Sequence, residues 1–184
     1  MDSFYDKMLL EVIVMVYDQC LVLGCSVIVV EDQGAIVYIG SPREDFQIML
    51  KDLNLKEEEL EKGDLSWFQA LLDSYQEGSL DIFDTPIKLI SGSEFQRSVW
   101  QELYKVSYGD IITYSDLANR LDKPKAVRAV ASAIGKNPIM LLVPCHRVNG
   151  KDGSLRGFRG GLDLKVDLQE VESRQVSLSE IASL

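Results

Sequence analysis

Cysteine is scarce in this sequence: Cys20, Cys25 and Cys145 are the only three in 184 residues. They are too few and too unevenly spaced for a disulfide framework, and a reducing compartment would keep them as thiols. Long apolar runs are missing too. The stretch 8–17 is broken by Glu11 and falls far short of the ~20 residues a spanning helix needs, so no membrane contact is expected. Positive charge is absent from the N-terminus, where Asp2 and Asp6 stand in place of the basic start of a secretory signal. These absences predict an intracellular protein, cytoplasmic in a bacterium or nuclear in a eukaryote. No internal repeat, low-complexity tract or cofactor motif is visible, and no cofactor is expected.

What is present is enough apolar material, 46% of residues, to bury a core in one large domain or two small ones. A net charge of -10 argues against a polyanion partner when taken whole. Its distribution points the other way. Residues 1–90 carry about -12, residues 91–160 about +5 and residues 161–184 about -3, so one basic stretch lies between two acidic ones.

Along the chain, two β-branched runs at 26–30 and 35–40 flank Asp32-Gln33-Gly34 and predict a hairpin, with a further strand at 8–17. Beyond Pro42 the spacing turns helical, and residues 57–76 predict one or two helices. Residues 81–92, with Thr85-Pro86 and no helical period, read as a linker or an extended crossing segment, which places a domain boundary near Ser91. The second half starts with a helix over 94–105, with Phe95, Val99 and Leu103 on one face. Ser115 is the expected N-cap of a helix over 116–121, Lys123-Pro124-Lys125 a turn, and 126–134 a helix stopping at Gly135. Together the last two form a helix-turn-helix. The small residues Ala126, Val127, Ala129 and Ala133 let the second helix approach its neighbour closely, and close helix packing is one reading of them. Lys123, Lys125 and Arg128 at its start point instead to a phosphate backbone.

The apolar run 139–143 delivers Pro144-Cys145-His146-Arg147-Val148. A cysteine at the end of a buried segment often serves only as a small hydrophobe. Here it adjoins the sole histidine of the chain, whose imidazole can take the thiol proton directly or through water and leave the nucleophilic thiolate. Asp163, Asp167, Glu170 and Glu172 are all available to orient that imidazole, and spacing does not choose among them.

The pentapeptide 144–148 resembles the acceptor motif of the O6-alkylguanine-DNA alkyltransferases. The resemblance runs from Phe95 to Glu172 through Phe95-Gln96, Val99-Trp100, Gly109, Tyr114, residues 123–130, Asn137-Pro138, Gly153, Gly161-Leu162 and Lys165. Residues 123–133 are most similar to the adaptive-response branch found in bacteria. It implies an α/β (α+β) protein: a small, ribonuclease H-like antiparallel sheet domain over 1–90, then a mostly helical, winged-helix-like domain over 91–184 that holds the helix-turn-helix. Cys145 would be the alkyl acceptor, His146 its water-linked base, Glu172 the carboxylate orienting His146, and Asn137 a hinge beside the site. Arg128 would replace the extruded guanine in the DNA stack, and Tyr114 would crowd the target phosphate and touch the flipped base. Ser115 and Lys123 match phosphate-contacting positions, with Lys125, Ala126 and Ala129 on the same DNA face. Cys145 and Val148 would offer backbone acceptors to the guanine amine, and the amide of Arg159 would donate to O6. The pocket is then formed by Tyr114, Val148, Phe158 and Arg159. The partner is double-stranded DNA carrying alkylated guanine, met through its minor groove by a monomer.

Three departures from the family pattern bear on the pocket. Phe158 replaces the usual Tyr, and Arg156 and Arg159 stand where small residues are common. Some members bind zinc in the N-terminal half, but here that half has no histidine and only Cys20 and Cys25, so no structural zinc is expected. The alternatives are a non-catalytic protein that recognises alkylated DNA, a cysteine hydrolase, and a fold in which Cys145 is structural. Members that only recognise damage lack the acceptor cysteine, and a hydrolase leaves the helix-turn-helix and Arg128 without a purpose.

Overall fold

Residues 15–39 form a three-strand meander, β1 (Met15–Val22), β2 (Cys25–Asp32) and β3 (Ala35–Ile39), paired antiparallel in sequence order. Both turns are two-residue and left-handed: Leu23-Gly24 has φ of 49 and 76, and Gln33-Gly34 has 52 and 86. Turns of this kind match the right-handed twist of the strands they join. The computed structural model describes residues 14–79 and 81–182, so of the strand expected over 8–17 only the part merging into β1 is described, and residues 8–13 lie outside.

A fourth strand, β4 (Leu60–Lys62), pairs with β1 in parallel and gives the order β3-β2-β1-β4. It lies inside the stretch expected to be helical. There the chain makes a 3-10 turn (Glu57–Glu59), then β4, and only afterwards α2 (Ser66–Glu77). Gly63 and Asp64 are the physical reason. Gly63 donates to Tyr17 O and lies so close to Val16 that a β-carbon would collide with it, while Asp64 accepts from Ser66 N and starts the helix afresh. Between β3 and β4 lies α1 (Phe46–Leu53), opened by Asp45 accepting from Ile48 N and closed by left-handed Asn54.

The crossing segment begins with a 3-10 turn (Asp81–Asp84) and then runs extended along β3, with Ile36 N donating to Pro86 O and Lys88 N to Ile36 O. Beyond it comes α3 (Glu94–Leu103), with a Ser93/Gln96 capping box and Val99, Trp100 and Leu103 buried. Next are β5 (Ile112–Thr113), α4 (Tyr114–Arg120), α5 (Val127–Ile134), the short strand β6 (Val148–Asn149) parallel to β5, and α6 (Leu162–Ala182). The N-cap of α4 is Thr113, not Ser115. Thr113 Oγ1 accepts from Asp116 N while the Asp116 carboxylate accepts from Thr113 N, a reciprocal pair that Ser115, already inside the helix, cannot form.

The largest core draws on both sides of residue 91, with Val29, Ile36 and Leu72 packed in one cluster with Trp100, Ile139 and Leu168. A smaller cluster holds Val30, Val37, Met49, Leu50 and Leu53, so β2 and β3 bury residues toward both. No helix among the described residues is long and apolar enough to cross a membrane.

Gly92 has φ +87, and a β-carbon there would stand 2.5 Å from the buried ring of Trp100. Gly92→Ala should therefore cost about 1–3 kcal/mol of unfolding free energy in urea titration, and an unchanged midpoint would show that this turn is not pinned by Trp100.

Candidate active site

Cys145 is held by a loop that the N-terminal sheet supports. Ile39 N donates to Pro138 O at 2.9 Å and Met140 N to Ile39 O at 3.1 Å, which extends the edge of β3 into residues 138–140. Residues Ile139, Met140, Leu141, Leu142 and Val143 are all buried, and Cys145 opens a 3-10 turn (Cys145–Arg147) running into β6. Asn137 spans the loop from its base. Its Oδ1 accepts from Ile139 N (3.0 Å), and its Nδ2 donates to Val143 O (2.7 Å) and Cys145 Sγ (3.2 Å). A buried carboxamide so fully engaged fixes the position of the sulfur.

Behind the cysteine lies a buried ionic cluster centred on Glu172 of α6. Its Oε1 is 2.8 Å from His146 Nε2 and accepts from Tyr75 OH at 2.9 Å and Arg147 Nη2 at 2.8 Å; its Oε2 accepts from Arg147 Nε at 2.9 Å and Gly109 N at 3.1 Å. The remaining Arg147 arm donates to Val106 O, and the guanidinium lies 5.0 Å from the ring centre of Phe83 and 5.5 Å from that of Tyr108. Burial alone would raise the Glu172 carboxyl, but hydrogen bonds from His146 and Arg147, and their charge, outweigh it and hold the group at about 2. An ionised carboxylate only accepts, so the hydrogen on His146 sits on Nε2 and Nδ1 carries the lone pair. Nδ1 is buried with no protein partner among the described residues. Burial lowers the His146 pKa despite Glu172, so the imidazole rests neutral and ready to accept a proton.

Burial also pushes the Cys145 thiol up, while the Asn137 hydrogen bond and the charges of Lys165 and Arg159 pull it back. Lys165 is fully buried on α6, donates to Val148 O and is brought down to about 8 by that burial. Cys20, by contrast, is driven up to about 11 by burial and the nearby carboxylates of Asp18 and Asp73, which makes it a poor nucleophile.

Of the four carboxylates open to the sequence, the structure brings Glu172 to His146 and leaves Asp163, Asp167 and Glu170 exposed on α6. Tyr114 is half-buried and donates to Arg156 O at 2.7 Å, and Val148 and Phe158 are buried. Arg156 is exposed and pairs with Asp152. Arg159 turns its side chain toward the N-terminal half, where Glu44, Asp52 and Tyr38 hold it. Elsewhere on the surface, α5 exposes Arg128, Ala129 and Ser132, with Lys123 and Lys125 exposed in the turn before it, Ala126 at its N-cap and Ser115 half-exposed on α4. Ala133 faces inward, and Trp100 Nε1 donates to its carbonyl at 2.8 Å. Sequence reasoning assigns no part to Tyr75, Arg147 or the Glu44–Asp52 pair. Nothing in local pattern marks them, because each acts through a partner at least 25 residues away. Among the described residues, no three of His, Cys, Asp and Glu are grouped to hold a metal ion.

Since Glu172 is depressed in the folded state, its contribution is complete above the ordinary carboxylate range and is lost as pH falls from about 4.5 toward 2. Glu172→Gln should cost about 3–5 kcal/mol at neutral pH, by leaving Arg147 uncompensated, and should flatten the acid limb of stability. Denaturant titrations at several pH values measure both, and a variant with the wild-type acid slope would contradict the assignment.

The family described as "6-O-methylguanine DNA methyltransferase, DNA binding domain" matches residues 94–174. The chain is 46% identical over 110 residues to the inducible methylated-DNA–protein-cysteine methyltransferase of Bacillus subtilis, covering 60% of this chain and 61% of that protein. It is 42% identical over 119 residues to the enzyme of that name from Mycobacterium leprae, covering 65% and 72%. Across the first of these relatives the chain thus spans about three fifths of their length. The structure of Mycobacterium tuberculosis OGT in complex with DNA superposes with a TM-score of 0.74 at 28% identity, covering 87% of this chain and 94% of that one. The same fold, the Cys145 site within the matched region and these relatives together place the chain in the methylated-DNA–protein-cysteine methyltransferase family.

Proposed function

We propose that this protein repairs DNA by taking an alkyl group from O6 of guanine onto its own Cys145, once per molecule. The observation that carries the reading is the pair of contacts Asn137–Cys145 and His146–Glu172, which presents one thiol and, on the next residue, one neutral imidazole with its acceptor nitrogen free of Glu172. In the reaction His146 takes the thiol proton, directly or through a water, and the thiolate attacks the alkyl carbon in line with the C–O6 bond. The S–C bond forms as that bond breaks, and guanine leaves as an oxyanion that takes up a proton. Burial keeps the Tyr114 phenol protonated, which suits it to donate to O6 together with the Arg159 amide. The thioether has no leaving path, so the protein is consumed.

O6 lies within the stack, so the nucleotide must leave the duplex before attack is possible. The exposed face of α5 suits the minor groove: Ala126 and Ala129 permit close approach, Arg128 fills the vacated space, and Ser115, Lys123 and Lys125 meet phosphates. In this reading residues 91–184 bind DNA and accept the alkyl group as a monomer, and residues 1–90 brace them. Non-catalytic recognition of alkylated DNA is the second reading, and Cys145 disfavours it.

Intact-mass spectrometry after mixing with a duplex containing one O6-methylguanine should show a gain of one CH2 on Cys145, absent in Cys145→Ala. Retained binding without any gain would favour the recognition reading. Arg128→Ala, at an exposed position, should leave stability within about 0.5 kcal/mol while slowing transfer about 10-fold or more. Lys123→Ala should weaken binding across all sequences and reduce the salt slope by about 1, and an unchanged slope would remove this face from the DNA.

A further inference from the structure

Arg159 joins the acceptor loop to the N-terminal half more densely than any pocket role requires. Its Nε and Nη2 reach Glu44 and Asp52, Nη2 also donates to Tyr38 OH at 2.9 Å, and the guanidinium lies 5.6 Å from the Tyr38 ring centre. Glu44 is fixed in turn by Tyr38 OH and Ser41 N at 3.0 and 2.7 Å, and Ser41 Oγ donates to the Arg159 carbonyl at 2.9 Å. Residue 159 is therefore gripped by both its side chain and its main chain. Arg159 and Glu44 are shielded, each 13% exposed, while Asp52 lies at the open side at 36%.

The remaining donor, Nη1, reaches inward to Asn137 O at 3.2 Å. Asn137 is the residue whose carboxamide holds Cys145 Sγ. We infer that Arg159 is a positioning residue for the acceptor thiol: the Glu44–Asp52–Tyr38 cluster clamps the guanidinium, the guanidinium holds the Asn137 backbone, and Asn137 sets the sulfur. A guanidinium suits this because its planar fork can serve several acceptors at once, which an ammonium cannot. The charged groups acting on the thiol are Lys165 from α6 and Arg159 itself, so loosening the clamp removes both a hydrogen-bond support and a nearby positive charge. The N-terminal half then contributes to the reactivity of the site as well as to its support.

The inference rests on the transfer reading for its role in repair, but the test does not depend on it. Iodoacetamide labelling of Cys145, resolved by peptide mass spectrometry across pH, reports thiolate formation without DNA. Methyl transfer from an O6-methylguanine duplex is measured beside it, and thermal melting reports folding. Arg159→Ala should shift the labelling midpoint upward by about half a unit or more and slow methyl transfer about 10-fold. Arg159→Lys, a milder change that keeps the charge but not the planar fork, should shift it in the same direction by less. Variants that melt lower yet keep the wild-type labelling profile would overturn the proposal and leave Arg159 a structural tie. Shifted labelling in a protein that never takes a methyl from DNA would uphold the clamp and sink the transfer reading.

Discussion

The structure around Cys145 depends on one buried charge, the carboxylate of Glu172. Each of its two oxygens is met by donors from different parts of the chain: Tyr75 from α2, Gly109 from the loop before β5, and His146 and Arg147 from the 3-10 turn after Pro144. Removing a carboxylate from water costs several kcal/mol, and only a full set of hydrogen bonds with an apposed guanidinium offsets this. The same set decides the histidine tautomer, because an ionised acceptor leaves the imidazole only one way to pair. The ionic cluster is thus what gives the lone histidine a chemical direction.

The N-terminal half is tied to the surroundings of Cys145 at more than this one point. Tyr75 reaches Glu172 from the N-terminal half, the edge of β3 continues into residues 138–140, and Glu44 and Asp52 hold Arg159. These contacts hold three different supports of the site, namely Glu172, the 138–140 segment and Arg159. Trp100 fixes the back of α5 through the Ala133 carbonyl, which holds the exposed face of that helix in place.

The sequence is informative where chemistry and spacing are local. Gln33-Gly34 marks the β2–β3 hairpin, the apolar period marks α3, and a cysteine beside the only histidine draws attention to the turn at 145–147. It is silent where polar residues occupy core positions. α6 buries Leu164, Lys165, Leu168 and Glu172 on one face, and two charged residues among four erase the hydrophobic period that would have marked a helix. β4 leaves no trace in the pattern because three residues, two of them exposed, carry no alternation. The N-cap of α4 falls two residues earlier than expected because Thr113 and Ser115 are both good caps, and only the return bond from Asp116 separates them. Long-range partners such as Tyr75 and Arg147 leave no local mark at all.

Because His146 is the only histidine, its protonation state is directly accessible by nitrogen-15 NMR of the labelled imidazole. With Glu172 ionised against Nε2, the ring should be neutral at pH 7 and carry its hydrogen on Nε2, with Nδ1 unprotonated. A ring protonated on Nδ1, or doubly protonated at that pH, would contradict the claim that Glu172 prepares His146 to take the proton of Cys145.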